Sequence, residues 1–304
     1  MDRLSVHHPE YWFAEGTIYL QVENIIYKVY QDLLECKSGF FKDMLAMPSF
    51  QLNGSHGATV EYEDGRSKNL ALHLDRSYAI SVIQFDTLLS FIFSPLQSMQ
   101  NVSLEALSDV LRHSVFFQMD EIHAYVKKAL TNHPDLAPAL QLNLTQKCFI
   151  REWVDLAVRA LIRTSWRQLS REDWDLIGID ALFLIQTAKA SIDAHRMTCV
   201  INPPPVIHTL WCLDEEDCTK AWKDAWFGTW DRPSIMLALI HPDIHVPGAD
   251  IVACLEKLNT GEMFKDCREC TIACVIGSAL QKSILRKEED IISRAIAEVG
   301  HTLL

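Results

Sequence analysis

Five histidine and cysteine side chains in the second half of the chain have the types and spacing of a metal site. His195 and Cys199 are four residues apart, so both would project from one face of a helix. Cys267 and Cys270 have the two-residue spacing with which a pair of thiolates binds one tetrahedral zinc ion, and Cys218 could complete the set. Thiolate with imidazole favours Zn²⁺, and a closed set of four protein ligands would make that ion structural.

The membership of this predicted zinc site stays open. Four side chains compete for two places beside the Cys267–Cys270 pair: His195, Cys199, Cys212 and Cys218. The competing interpretation is a set of buried core thiols, because free cysteine behaves as a small apolar side chain and a reducing compartment leaves cysteines unpaired. A redox role is not favoured, since no strand precedes the CxxC pair as it does in thioredoxin-like proteins.

The most enzyme-like pair of side chains is His241 and His245, with Asp243 between them. Pro242 and Pro247 interrupt any helix here, so the geometry of a helical zinc-protease motif is not available. The sequence has neither a glycine-rich phosphate loop nor a serine at a nucleophile elbow. These observations favour a non-enzymatic protein, and an enzyme that uses the histidines and thiols of residues 195–270 is the alternative.

Three tryptophans, Trp222, Trp226 and Trp230, recur every four residues and would form one stripe on a helix. An aromatic stripe at this spacing is typical of a helix buried in a core. The alternative is a groove in which the indoles anchor a partner peptide.

The chain is acidic throughout, which limits its expected partners. Its 304 residues carry a formal net charge of −12, and the acidic excess is divided evenly on either side of residue 133. Such a surface repels phosphate backbones, so nucleic acid is not an expected partner. The first residues are charged and polar, and no apolar run reaches the ~20 residues that cross a bilayer. We therefore expect an intracellular protein, cytoplasmic or nuclear, that does not bind membranes.

The spacing of apolar residues predicts an α+β fold for residues 1–133. Ile18, Leu20 and Val22 alternate with polar residues, as in a strand, and from Leu33 the apolar residues repeat every three or four positions, as in a helix. Further segments are a long polar loop at 49–69 with a short strand-like piece at 58–62, a strand at 70–75, and helices at 80–94, from Ser103, and at 119–133.

A break at residues 134–138, which include two prolines, predicts a domain boundary there. Residues 134–304 have helical spacing throughout and predict an all-helical C-terminal domain. Ser170 with Asp173 predicts a capping box. The acidic run from Asp214 to Asp217 predicts a helix N-terminus, where negative charge is favoured by the helix dipole.

The order of elements in residues 11–131 follows a known family. Tyr27-Lys28-Val29-Tyr30-Gln31 stands where that family has F-x-V-H-(R/K), and LLSFIFS at 88–94 matches its helix end L-L-x-F-I-Y-T. Its next motif, x-V-L-x-x-x-S-x-x-F-x-x-M, is matched by Leu33-Leu34, Ser38, Phe41 and Met44, and its paired basic residues by Lys127 and Lys128. These residues resemble a BTB/POZ domain, which implies a small sheet covered by helices.

The second part of the chain makes the resemblance more particular. A large group of BTB proteins found in basidiomycete fungi has two sequence motifs in this region, Y-x-I-x-x-W-L-x-x-A-x-x-x-L and L-x-x-x-E-x-x-x-L-G-x-x-x-A. The matching positions here are Ile150, Trp153, Ala157, Leu161, Leu169, Asp173, Ile177-Gly178 and Ala181. The whole chain is similar to that group, whose role is largely unassigned.

The resemblance implies a non-enzymatic protein–protein interaction module that self-associates through its BTB-like domain. One version is an adaptor for a cullin-type ubiquitin ligase, in which the cullin contacts the surface near residues 80–117. Another is a transcriptional or scaffold protein without a ligase role. Tyr30 and Gln31 replace the family's histidine and basic residue, and Gly16-Thr17 replaces an acidic residue. These departures do not favour the charged co-repressor pocket that such residues form.

Overall fold

A computed structural model of the chain describes residues 5–46, 65–74, 80–94, 102–228, 234–240, 245–276 and 285–303. The chain divides into two compact units, Met1–Leu136 and Ala137–Leu304. The first contains a small sheet followed by helices, and the described part of the second is helical, so the coarse α+β prediction is confirmed. Most of the predicted loop at 49–69, including the strand-like piece at 58–62, lies outside the described residues.

The first unit contains four strands and five helices in its described part. The strands are β1 (Val6–Trp12), β2 (Ile18–Val22), β3 (Ile25–Val29) and β4 (Leu72–His73). The helices are α1 (Gln31–Lys37), α2 (Gly39–Ala46), α3 (Val82–Phe93), α4 (Leu104–Phe116) and α5 (Asp120–Thr131).

The sheet is built around one hairpin. β2 and β3 pair antiparallel across a two-residue turn, and Glu23 in that turn has the left-handed φ of +53° that tight hairpin turns use. β1 lies parallel to β3 on one edge and β4 lies parallel to β2 on the other, which gives the order β1-β3-β2-β4. The strand predicted at 70–75 is therefore limited to two residues in the described part of the chain.

Burial in the first unit follows the predicted alternation. Ile18, Leu20 and Val22 are buried, and the residues between them, Tyr19 and Gln21, are partly exposed. Between α1 and α2, the Ser38 hydroxyl donates to the Phe117 carbonyl at 2.6 Å and accepts the Phe41 amide at 3.1 Å. The Phe41 ring stacks on Phe117 with centroids 5.3 Å apart and an angle of 6° between the ring planes. The serine therefore fixes the break between the two helices and places Phe41 in the core.

We expect Phe41→Ala to lower the unfolding free energy of the first unit by about 3–5 kcal/mol, because a fully buried ring is truncated and leaves a cavity. Urea unfolding measures the loss. The matched control is Phe116→Ala, which truncates a ring that is 45% exposed and should cost much less. Equal losses for the two variants would contradict the placement of Phe41.

The described part of the second unit contains nine helices. They are α6 (Pro138–Cys148), α7 (Glu152–Arg163), α8 (Arg171–Ile177), α9 (Ile179–Ile201), α10 (Glu215–Phe227), α11 (Ile235–Leu239), α12 (Gly248–Glu256), α13 (Lys265–Ile276) and α14 (Leu285–Leu303).

Two hydrophobic clusters form the core of this unit, and α9 contributes to both. One joins α6, α7, α8 and α14 to most of α9. The other joins the four helices α10, α11, α12 and α13 and includes Val200 near the end of α9. The predicted capping box is confirmed, since Ser170 and Asp173 exchange hydrogen bonds at the start of α8. Gly178 separates α8 from α9 with a φ of +79°, a conformation that side chains disfavour.

A buried ion pair connects α9 to α14. The Arg196 guanidinium donates two hydrogen bonds to the Glu288 carboxylate, at 2.7 and 2.8 Å, and a third to the Val246 carbonyl. Both side chains are almost fully excluded from solvent. Removing one partner would leave the other charged and buried without compensation.

We expect Glu288→Ala to lower the unfolding free energy of the second unit by about 3–5 kcal/mol, because the Arg196 charge loses its buried partner. Glu289→Ala is the matched control at the next position. Glu289 pairs with Arg159 at the surface, where its side chain is 52% exposed, so its loss should cost about 0–1 kcal/mol. Urea unfolding of the two variants provides the comparison, and a similar cost for both would contradict the burial of Arg196–Glu288.

Candidate metal centre

Three thiols and one imidazole meet where a loop joins two helices of the second unit. His208 and Cys212 lie in the loop between α9 and α10, Cys218 lies in the first turn of α10, and Cys267 lies in the first turn of α13. The acidic run begins α10 as predicted, with the Asp214 carboxylate accepting the Asp217 amide at 2.9 Å. Cys218 and Cys267 are buried.

The four ligand atoms of this group all lie within 4.8 Å of one another. The sulfurs of Cys212 and Cys218 are 3.6 Å apart, and the Nδ1 atom of His208 is 3.5 Å from the Cys212 sulfur. A tetrahedral zinc ion with Zn–S bonds near 2.3 Å requires sulfur–sulfur separations of roughly 3.8 Å. The group therefore has the dimensions of one tetrahedral site.

Backbone amides point at two of the sulfurs. The Phe264 amide donates to the Cys218 sulfur at 3.3 Å, and the Thr209 amide donates to the Cys267 sulfur at 3.4 Å. N–H groups directed at sulfur stabilise negative charge there, which a thiolate ligand set needs.

His208 is oriented by a second contact. Its Nε2 atom lies 3.3 Å from the Thr219 hydroxyl, while Nδ1 faces Cys212. Metal-binding histidines commonly use one ring nitrogen for the metal and the other for a hydrogen bond that fixes the ring. This arrangement leaves Nδ1 directed towards the thiols.

The thiols of the group differ in acidity. Burial, together with hydrogen bonds to the thiols of Cys218 and Cys267, raises the pKa of Cys212 to about 12. Burial also acts to raise the pKa of Cys267, but that pKa is lowered because the Thr209 amide and hydroxyl and the neighbouring thiols hydrogen-bond its sulfur. Cys267 is therefore the thiol of this pair that ionises first.

The structure brings together only some of the predicted zinc ligands. Cys218 and Cys267 are in the group, and Cys212, one of the competing side chains, joins them. His195 and Cys199 lie beside each other on α9, with the Cys199 sulfur 3.9 Å from Nε2 of His195, and are not in the group. Cys270 is exposed on α13 and is also outside it.

His208 is the member that the sequence reasoning missed. His208-x3-Cys212 repeats the spacing of His195-x3-Cys199, so spacing did not separate the two candidate pairs. The three prolines Pro203–Pro205 could have distinguished the two pairs. They predict that His208 lies in a loop shortly before Cys218, whereas His195 and Cys199 have helical spacing.

The two described tryptophans of the stripe are buried in the core of the second unit. Trp222 and Trp226 are 1% and 0% exposed and pack in the same cluster as Cys218 and Cys267. The indole of Trp222 donates to the Pro204 carbonyl at 2.8 Å and so holds the loop that carries His208. Trp230 lies outside the described residues.

A second polar cluster, in the first unit, has its hydrogen-bonding groups used within the fold. The Nδ1 atom of His8 accepts the amides of Glu10 and Tyr11 at 3.1 and 2.9 Å, and its Nε2 atom lies 3.2 Å from the Asp86 carboxylate. The Tyr27 hydroxyl donates to the same carboxylate oxygen at 2.7 Å. Burial and this bond to Asp86 raise the pKa of Tyr27. These contacts hold β1 and β3 to α3, and the His8 side chain is 10% exposed.

A cleft of about 830 Å³ lies beside α10 and α12 in the second unit. Its described lining includes Asp224, Lys257 and Cys254 but no histidine, and Ser234 uses its hydroxyl to cap α11. The charged side chains of this described lining are lysines and carboxylates, which include Lys257 and Asp224.

Of the histidine pair singled out in the sequence, only His245 is described; His241 and Asp243 lie outside the described residues. Neither ring nitrogen of His245 has a hydrogen-bond partner in the described part of the chain. Burial, assisted by the positive charges of Arg196, Lys189 and Arg163, lowers the pKa of His245 to about 4.

We expect the unfolding free energy of the second unit to fall as the pH is lowered from about 6.5 to about 4. The unfolded chain binds a proton at His245 near its ordinary pKa of about 6.5, whereas the folded chain binds it only near 4. Protonation therefore favours unfolding within this window. Urea unfolding at several pH values should give a shallower fall for His245→Leu than for the wild type. Equal slopes would contradict the burial of the neutral imidazole.

Comparison with known proteins gives no relative: no family model, no curated protein and no solved structure matches the chain. Among the helices that the structure describes, none combines the length and apolarity that a membrane span requires.

Proposed function

We propose that this chain is a non-enzymatic protein-interaction module whose first unit is a BTB-like docking domain. The observation that carries the proposal is the connectivity of that unit. A β2–β3 hairpin leads into the α1–α2 helix pair, a short strand β4 returns parallel to β2, and α3 and the α4–α5 pair follow. This is the order that the sequence resemblance of residues 11–131 implies.

The use of polar groups in the first unit supports a docking role over catalysis. His8, Asp86 and Tyr27 are engaged with one another and with backbone amides, so they hold elements together. Catalytic groups in a cleft are typically left available for a substrate.

The surface around α3 and α4 supplies apolar side chains for a partner. Ile83, in the first turn of α3, is 79% exposed, and Phe116, at the end of α4, is 45% exposed. Both lie in the 80–117 segment, which the resemblance assigns to the cullin contact. Exposed apolar side chains in the centre of an interface contribute strongly to binding when a partner buries them.

We favour the adaptor version, in which the first unit binds the N-terminal region of a cullin and the second unit selects a substrate. A scaffold or transcriptional protein that only self-associates is the second version. An enzyme that uses residues 195–270 receives no support from the described cleft or histidines.

The test mixes the full chain with a cullin N-terminal fragment at micromolar concentration and measures co-elution. We expect a complex that Ile83→Arg abolishes, because an arginine would be buried without a partner at the contact. Ile179→Arg is the matched control: Ile179 is also in the first turn of a helix and is 80% exposed, but it belongs to the second unit.

Three outcomes decide between the versions. A complex lost in Ile83→Arg and retained in Ile179→Arg supports the adaptor. No complex with the wild type, together with a dimer mass by light scattering, supports the scaffold and overturns the adaptor. Turnover of small substrates that depends on residues 195–270 would overturn both.

A further inference from the structure

We propose that His208, Cys212, Cys218 and Cys267 bind one structural Zn²⁺ ion, which fixes the loop of residues 207–214 to α10 and α13. This inference concerns the second unit and does not depend on the docking function proposed for the first.

The donor set selects the metal. Three thiolates with one imidazole are ligands that tetrahedral Zn²⁺ accepts, whereas Mg²⁺ and Ca²⁺ require oxygen. All four tetrahedral positions would be filled by protein, so no position is left for water or substrate. The ion would be structural and not a Lewis acid in catalysis.

The surroundings of the group fit a bound cation. Three thiolates and Zn²⁺ carry one net negative charge, and the amides of Phe264 and Thr209 are directed at sulfur, where they offset that charge. The contact of His208 Nε2 with the Thr219 hydroxyl leaves Nδ1 for the metal. Ligands and neighbouring donors are thus arranged around one point.

The loop that carries two of the ligands needs such a cross-link. Leu210, Trp211 and Leu213 are 99%, 75% and 97% exposed, so this segment buries little apolar surface of its own. Its hydrogen bonds to α13 include the Ile207 amide to the Thr271 hydroxyl at 2.9 Å and the Thr209 amide to the Cys267 sulfur at 3.4 Å. Zinc would fix the loop on either side of the exposed Leu210 and Trp211.

A disulfide is the competing cross-link. Cys212, Cys218 and Cys267 form no disulfide in the structure, and the 3.6 Å between the sulfurs of Cys212 and Cys218 exceeds a disulfide bond of about 2.05 Å. A disulfide would also use only two of the three thiols and leave the position of His208 unexplained.

The first experiment measures metal in the full chain, purified without a histidine tag under reducing conditions and dialysed. We expect one zinc per chain by mass spectrometry, and strongly reduced zinc in Cys267→Ser and His208→Gln. The matched controls are His195→Gln and Cys199→Ser, a histidine and a cysteine with the same spacing on α9, and both should retain the metal. Loss of zinc in these controls but not in Cys267→Ser would overturn the proposed ligand set.

The second experiment uses the wild-type chain, so it does not depend on whether the variants fold. Replacement of zinc by Co²⁺ should give the visible bands of a tetrahedral site and a thiolate-to-cobalt charge-transfer band. Removal of the metal with EDTA should increase hydrogen exchange in residues 207–214 and leave the first unit unchanged. Absence of the cobalt bands, or a Cys212–Cys218 disulfide in the reduced preparation, would overturn the proposal.

Discussion

A polar side chain that is buried loses its hydrogen bonds to water, so the fold either replaces them or keeps the group uncharged, as the lowered pKa of His245 indicates. This constraint organises both units of the chain. In the first unit, the Asp86 carboxylate contacts the His8 ring and accepts a hydrogen bond from the Tyr27 hydroxyl, and the three side chains connect the sheet to α3. In the second, Arg196 and Glu288 satisfy each other between α9 and α14. The thiols beside α10 follow the same rule, because backbone amides donate to the sulfurs of the buried Cys218 and Cys267, and the His208 imidazole contacts the half-buried Cys212.

The second unit depends on α9 for its continuity. Its 23 residues contribute to both hydrophobic clusters, and the ion pair at Arg196 lies between the segments that do so. The cluster around Trp222 and Trp226 also holds the loop after α9, through the indole bond to Pro204. The proposed zinc site lies at the edge of that cluster, where apolar burial ends and an exposed loop begins. The proposed metal would supply a cross-link there, beside an exposed loop.

The two proposals assign chemistry and recognition to different places. Recognition is assigned to exposed apolar side chains on α3 and α4 of the first unit, whose interior polar groups are engaged with one another. The proposed zinc site of the second unit would be closed by four protein ligands, which assigns it a structural role in holding a loop. Both assignments agree with a protein that binds other proteins, and neither requires a reactive cleft.

The sequence by itself determined the features that depend on near neighbours along the chain. The alternation of Ile18, Leu20 and Val22, the capping box of Ser170 with Asp173, and the acidic start of α10 all appear as predicted, because they arise from local periodicity and local hydrogen bonds. Only the tertiary structure decided that β1 joins the sheet: its buried side chains, His8 and Tyr11, are three residues apart and give no alternating signal. It alone also selected His208 over His195 as the partner of Cys267. That choice depends on which helices and loops meet across 59 residues of chain, and spacing along the sequence carries no information about such a contact.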